Sequence, residues 1–163
     1  MTSLLRFPRA PFALILAASL LLVGGGVYMS QVMHLAACPL CIIQRMLYLA
    51  LALAAMIGLA VSASGLGRRL GALVMAAVTS GGAFVAGYQV WIQRFAPDTN
   101  CSGRPTWWED LVSRAGDAVP LLFQSDGICS DPGWFFLGLS IAEWSLVFFS
   151  AFFLISLYTL LRR

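Results

Sequence analysis

The sequence predicts an all-α membrane protein, a four-transmembrane-helix bundle with two extracytoplasmic loops, the second of them long and cysteine-bearing. Hydrophobic residues make up 60% of the chain, charged residues make up 10%, and the mean hydropathy is +0.87. These values lie far from the balance of a soluble domain of this length. Since no internal repeat and no low-complexity tract is visible, residues 1–163 are interpreted as a single membrane domain.

Four stretches without Asp, Glu, Lys or Arg are each long enough to cross about 30 Å of hydrocarbon, which takes about 20 helical residues. They lie between Arg9 and Arg45, Arg45 and Arg68, Arg69 and Arg94, and Glu143 and Arg162. The first stretch is too long for one helix, and Gln31, His34 and Pro39 mark where the chain turns between the first two predicted helices. We predict transmembrane helices over about 12–32, 42–62, 70–91 and 142–161, extracytoplasmic loops over about 33–41 and 92–141, and a cytoplasmic loop over about 63–69.

The distribution of charge predicts which loops face the cytoplasm. Every basic residue is an arginine, and six of them flank the predicted helices on one side: Arg6, Arg9, Arg68, Arg69, Arg162 and Arg163. All seven acidic residues fall between Asp98 and Glu143. By the positive-inside rule both termini and loop 63–69 are cytoplasmic, and both cysteine-bearing regions face the other side. The net charge of +3 is thus a signal of topology and does not indicate nucleic acid binding.

The first apolar stretch could instead belong to a cleaved signal peptide, since it follows Arg6 and Arg9. It is longer than the usual apolar region of about 7 to 15 residues, and no clear A-x-A cleavage site follows it. An odd number of spans would also put some of the arginines on the wrong side of the membrane. We therefore predict that this helix is retained.

Aromatic and aliphatic residues in the second loop predict contact with the membrane surface. Trp107, Trp108, Leu111 and Val112 could form a short amphipathic turn that lies on the lipid headgroups. Interface anchoring, with no role towards a substrate, is the interpretation that we favour for these tryptophans.

The four cysteines indicate redox chemistry. Four cysteines allow three pairings. Cys38 and Cys41 form a C-x-x-C pair whose spacing suits a redox-active disulfide, which leaves Cys101 and Cys129 as the natural second pair. Disulfides persist outside the cytoplasm, where these residues are predicted to lie. A structural zinc site usually needs two close pairs of ligands, which Cys101 and Cys129 do not supply, so no metal is predicted. Purely structural disulfides are the other alternative, although a C-x-x-C ring restricts little chain entropy.

Cys38 and Cys41 are predicted to lie at the start of the second helix, with Pro39 in a position that suits its first turn. The free backbone amides and the positive dipole end there favour a thiolate. Because residues three and four apart share a helix face, Cys41, Gln44 and Arg45 point the same way. Arg45 could merely extend to the membrane interface, but beside the cysteines a role in holding an electron-poor or anionic partner is favoured.

Two segments carry a resemblance to a known family. The run from Cys38 to Arg45 is similar to the C-x-x-C-x-x-Q-R signature of the DsbB family, disulfide bond formation proteins of the bacterial inner membrane. The run from Cys129 to Trp144 resembles the end of that family's second periplasmic loop. The resemblance extends over essentially the whole chain and implies a quinone-dependent thiol oxidase that reoxidises a DsbA-like, periplasmic thioredoxin-fold protein.

The resemblance also implies roles for individual residues. The reduced partner would attack Cys101, and the released Cys129 would attack Cys38. Cys41 would then face a membrane quinone, ubiquinone or menaquinone, with Arg45 and Gln44 polarising the quinone oxygens. The protein would lie in the inner membrane with its cysteine loops in the periplasm.

The chain departs from the family at one position. Some members have a histidine near the outer end of the third span that is linked to the quinone site, whereas residues 88–94 of this chain contain none. Tyr88, Gln89 and Arg94 are candidates for quinone contact there, and helix-end or interface anchoring is at least as good an explanation for each. Two alternative functions stay open: a paralogue that serves a dedicated partner, and a non-enzymatic scaffold with a disulfide-stapled loop.

Overall fold

A computed structural model of the protein describes residues 9–96 and 107–162. Four of its helices are long and apolar enough to cross a membrane, namely α1 (Ala10–Gln31), α2 (Pro39–Val61), α3 (Gly65–Phe95) and α6 (Ile141–Leu161). Between α3 and α6 lie α4 (Trp107–Ala118), α5 (Pro120–Phe123) and a two-stranded antiparallel hairpin of β1 (Phe135–Phe136) and β2 (Leu139–Ser140). The predicted fold class, an all-α membrane protein with four spans, is confirmed.

The ends of the long helices follow from local capping. The Ser64 hydroxyl caps α3 by accepting from the backbone N–H of Gly67. Ser140 and Glu143 form a reciprocal capping box at the start of α6. Helix α3 extends beyond both ends of the predicted span of 70–91, because charged side chains at helix ends can lie in the headgroup region and do not have to terminate the helix.

Helix α3 packs against α2 and α6, α1 packs against α2, and α1 and α6 meet only over a small area. The core between α2, α3 and α6 contains the rings of Tyr48 and Phe149, stacked with centroids 4.1 Å apart. A Cβ atom at Gly82 would overlap the Phe149 ring, so this glycine is what lets the helices approach. The limited contact between α1 and α6 leaves a groove, which opens beside the functional site.

Residues 107–140 of the second loop contain more regular structure than the sequence predicts. The predicted short turn is a 12-residue helix, α4, on which Val112 is buried while Trp107 is 81% exposed. Further along, the hairpin turns at Leu137 and Gly138, both with positive φ, and the indole N–H of Trp144 donates to the Phe136 carbonyl at 3.0 Å. These elements return the chain to α2 and place Cys129 next to it.

Candidate redox site

The C-x-x-C pair caps the first turn of α2. Cys38 is the N-cap residue, Pro39 is the first helical residue, and the Cys38 sulfur accepts from the backbone N–H of Cys41 at 3.2 Å. The two Sγ atoms lie 2.7 Å apart, and Cys38 is only 3% exposed. The helix start thus holds two sulfurs together where unpaired backbone amides favour negative charge.

The second loop brings a third sulfur to this pair. Cys129 is fully buried, and its side chain is in hydrogen-bonding contact with that of Cys38. The loop is held there because the backbone N–H groups of Asp126 and Gly127 both donate to the Ala37 carbonyl, at 3.0 and 2.9 Å. Cys101, the predicted partner of Cys129, lies outside the described residues.

The crowded sulfurs differ in their readiness to ionise. Contact with Cys129, then contact with Cys41, and burial together raise the pKa of Cys38 well above its ordinary value. Because adjacent sulfurs cannot all carry charge, Cys38 stays protonated at neutral pH in the reduced pair. Cys41 is the member of the pair left to hold a negative charge.

Two glutamine side chains lie beside the pair. Gln89 of α3 is 1% exposed, and its Nε2 donates to the sulfurs of both Cys38 and Cys41 at 3.2 Å. Its Oε1 accepts from Nε2 of Gln44 at 2.6 Å. The predicted quinone ligand Gln44 is therefore directed at Gln89, whereas Gln89 itself reaches the sulfurs.

Arg45 joins three parts of the chain at the site and is only 7% exposed. Its guanidinium donates to the Leu122 carbonyl of α5 at 2.5 Å, to the Gly26 carbonyl of α1 at 2.9 Å and to the Ser30 hydroxyl at 3.1 Å. These bonds use three of its five N–H groups. Buried Arg45 thus links α2 to α1 and to the second loop by hydrogen bonds. Its charge also interacts electrostatically with Cys41.

A cavity of about 260 Å³, called here the thiol cavity, is lined by Cys38, Cys41, Arg45 and Gln89 together with residues of α1 and the second loop. An apolar groove of about 360 Å³ lies between α1 and α6. Its lining is mostly aliphatic and aromatic: Leu21, Leu22, Gly25, Gly26, Met29, Tyr48, Trp134, Phe136, Ile141, Trp144, Ser145 and Phe148. Because the cavity and the groove share Gly26, Met29 and Ile141, the groove adjoins the cavity that the sulfurs line.

The structure separates the three candidates near the outer end of α3. The Arg94 guanidinium pairs with the Glu143 carboxylate at the start of α6, with its Nε 2.8 Å from the carboxylate oxygen. Tyr88 is 44% exposed and stacks on Trp91. Only Gln89 of the three points at the sulfurs, a distinction that the sequence does not make because no spacing rule relates α3 to α2.

Comparison with known proteins places the chain in one family. Residues 8–159 match the family described as Disulfide bond formation protein DsbB. Proteins named disulfide bond formation protein B are similar over nearly the whole chain. The protein of Albidiferax ferrireducens is 39% identical over 96% of this chain and 89% of its own length. The protein of Acidovorax sp. is 37% identical over 95% of this chain and 88% of its own length. The protein of Stutzerimonas stutzeri is 33% identical over 96% of this chain and 96% of its own length.

This match and the four apolar helices confirm the resemblance inferred from the C-x-x-C-x-x-Q-R motif. The chain therefore belongs to the DsbB family, membrane-bound disulfide oxidoreductases that act in disulfide bond formation.

Proposed function

We propose that this protein reoxidises a periplasmic DsbA-like thioredoxin-fold protein by thiol-disulfide exchange and passes the electrons to a membrane quinone, ubiquinone or menaquinone. The observation that carries the proposal is the contact of Cys129 with Cys38, at the wall of a cavity that adjoins an apolar groove. A sulfur delivered by the outer loop and a lipid-accessible groove thus meet at one cysteine pair.

Thiol-disulfide exchange proceeds from the loop to the helix. A partner thiolate attacks the Cys101–Cys129 disulfide at Cys101, and the partner's second thiolate resolves the mixed disulfide. Cys129, released as a thiolate, attacks Cys38: the Cys129–Cys38 bond forms, the Cys38–Cys41 bond breaks, and the electron pair leaves on Cys41. Attack of the Cys101 thiolate on Cys129 restores the loop disulfide and leaves Cys38 and Cys41 reduced.

The residues around the thiol cavity fit a quinone. A quinone has a flat polar head on an apolar tail, and the site has Arg45 and Cys41 in a cavity next to a groove lined mostly by apolar side chains. When bound, the quinone accepts the two electrons and two protons that the reduced Cys38–Cys41 pair gives up. Arg45 orients the head by charge and hydrogen bonding. Cys41 presents to the quinone the sulfur that holds the negative charge of the reduced pair.

The sidedness of the protein is part of the proposal. The four spanning helices alternate in direction, so that Arg9, the turn before Arg68 and Arg69, and Arg162 fall at one end of the bundle. With that end in the cytoplasm of a bacterial inner membrane, Cys129 and the C-x-x-C pair face the periplasm. The arginines grouped at one end, and the acidic residues confined to the other, support this orientation.

Turnover by the purified protein tests the function. Reduced DsbA-like partner and a water-soluble short-chain quinone are mixed with wild-type protein in detergent, and the loss of quinone absorbance is followed. Wild type is expected to reduce quinone catalytically, and Cys41→Ser is expected to reduce none. Binding of the partner without quinone reduction by wild type would support a scaffold and overturn the proposal, while activity with only one of several DsbA-like partners would identify a dedicated paralogue.

A further inference from the structure

Gln89 is held in a single orientation between two helices. Its Oε1 accepts from Gln44, so its amide nitrogen is directed at the cysteine pair and cannot rotate away without losing a 2.6 Å hydrogen bond. The two N–H groups of that nitrogen match the two sulfurs, each 3.2 Å away. Gln44 and Gln89 are 4% and 1% exposed, so water does not compete for these bonds.

This arrangement suits the step in which the C-x-x-C disulfide opens. As the Cys38–Cys41 bond breaks, negative charge develops on the half-buried Cys41 sulfur, beside the buried side chains of Cys38 and Gln89. Donors fixed in advance towards a developing charge stabilise it without any reorganisation during the reaction. Among the described residues, the groups that act on Cys41 besides Gln89 are Cys38, Cys129 and the more remote charge of Arg45.

We propose that Gln89 is a catalytic residue that stabilises the Cys41 thiolate as it leaves, and that Gln44 is a positioning residue that aims the Gln89 amide at the sulfurs. The proposal deepens the proposed function, since it rests on the same exchange step. In that step the Cys129–Cys38 bond forms, the Cys38–Cys41 bond breaks, and the electron pair stays on Cys41. Gln89 donates a hydrogen bond to that pair and transfers no proton.

The size of the effect follows from the strength of a hydrogen bond to a charged acceptor, which corresponds to about tenfold to a hundredfold in an equilibrium constant. Sulfur is a weak acceptor, so the lower end applies. We expect Gln89→Leu, which keeps the size of the side chain and removes the donor, to destabilise the reduced pair about tenfold. For a two-electron couple this lowers the reduction potential by about 30 mV.

Two measurements on the intact protein test the proposal without partner or quinone. The first is the rate at which iodoacetamide alkylates Cys41 at fixed neutral pH, located by peptide mass spectrometry, because only the thiolate reacts. The second is the equilibrium of the Cys38–Cys41 disulfide with dithiothreitol. In Gln89→Leu we expect a disulfide about tenfold harder to reduce. We also expect slower alkylation, by less than about tenfold because a thiolate of higher pKa is intrinsically more nucleophilic. In Gln44→Leu we expect smaller changes in the same direction.

Two further variants separate catalysis from folding. Thr79→Val, also on α3 and fully buried, removes a hydroxyl that donates to carbonyls of its own helix, and it should leave both measurements unchanged. Gln89→Asn keeps the amide but withdraws it by one methylene, and it should reproduce the slower alkylation even if Gln89→Leu fails to fold. Normal alkylation and normal potential in a folded Gln89 variant would overturn the role of Gln89, whereas absence of quinone reduction by wild type would overturn the proposed function.

Discussion

Gly127 lies where the second loop docks against the segment that precedes α2, and one added methyl group there tests how the loop holds Cys129 beside Cys38. A Cβ atom at Gly127 would lie about 1 Å too close to the Ala36 carbonyl oxygen. Because the clash is with backbone, side chains cannot relieve it and the loop must move away. We expect Gly127→Ala to separate Cys129 from the helix pair.

The magnitude follows from the contacts that hold the loop. Displacement weakens the two hydrogen bonds that Asp126 and Gly127 donate to the Ala37 carbonyl at 3.0 and 2.9 Å. Each contributes about 1 kcal/mol net, so the docked loop loses about 2 kcal/mol relative to an undocked loop. Since about 1.4 kcal/mol is tenfold, the effective concentration of Cys129 at Cys38 is expected to fall about 30-fold.

The assay measures that effective concentration directly. In a Cys41→Ser, Cys101→Ser background the chain keeps only Cys38 and Cys129 of its four cysteines. The protein is equilibrated in glutathione buffers of graded redox ratio, and the fraction of Cys38–Cys129 disulfide is read by alkylation and mass spectrometry. The ratio at half-oxidation gives the effective concentration of one thiol at the other.

The matched control is Gly81→Ala in the same background. An added Cβ at Gly81 of α3 meets no atom within 4 Å, so the control should not change the effective concentration. If Gly127→Ala stays within about twofold of the control, backbone docking of the loop does not hold the third sulfur in place.

Three other substitutions test the site and the fold. Arg45→Ala removes the charge in the thiol cavity and the bond to Leu122, so the apparent KM for quinone should rise much more than the KM for the thiol partner; equal rises would indicate a packing role. Gly25→Leu fills the apolar groove from a position where an added Cβ is unobstructed, and it should raise the quinone KM alone; an unchanged value would exclude the groove as the route. Gly82→Ala overlaps the Phe149 ring and should lower the free energy of unfolding by about 1–3 kcal/mol, measured by denaturation in detergent micelles; an unchanged value would contradict the close packing.

Much of the fold could be predicted because a membrane imposes length and polarity on each span. The charge-free stretches are enough to find all four spanning helices. They are a poorer guide to where α3 ends, since arginines at the ends of a spanning helix can lie in the headgroup region and do not have to stop the helix. The hairpin between α5 and α6 escapes prediction because two-residue strands are too short to show a period.

The site could be predicted where its residues share one helix. Cys41 and Arg45 are four residues apart, and helical geometry alone puts them on one face. From the sequence, Gln89 is only one of three candidates, because spacing along the chain does not say which side of α3 meets α2. The acceptors for Arg45 include the carbonyls of Gly26 and Leu122, and a backbone carbonyl leaves no side-chain signature in the sequence.

A single-turnover trapping experiment follows the electrons from the partner through the four cysteines to the quinone. Reduced DsbA-like partner and quinone are mixed with the protein without oxygen, quenched with acid at intervals, and all four cysteines are mapped by alkylation while quinol is measured. Wild type should form one quinol per partner disulfide, and Cys41→Ser, whose Cys38 lacks its disulfide partner, should form none after its loop disulfide is reduced. Quinol formation by Cys41→Ser, or its absence in wild type while the partner is oxidised, would contradict the transfer of electrons through the Cys38–Cys41 pair.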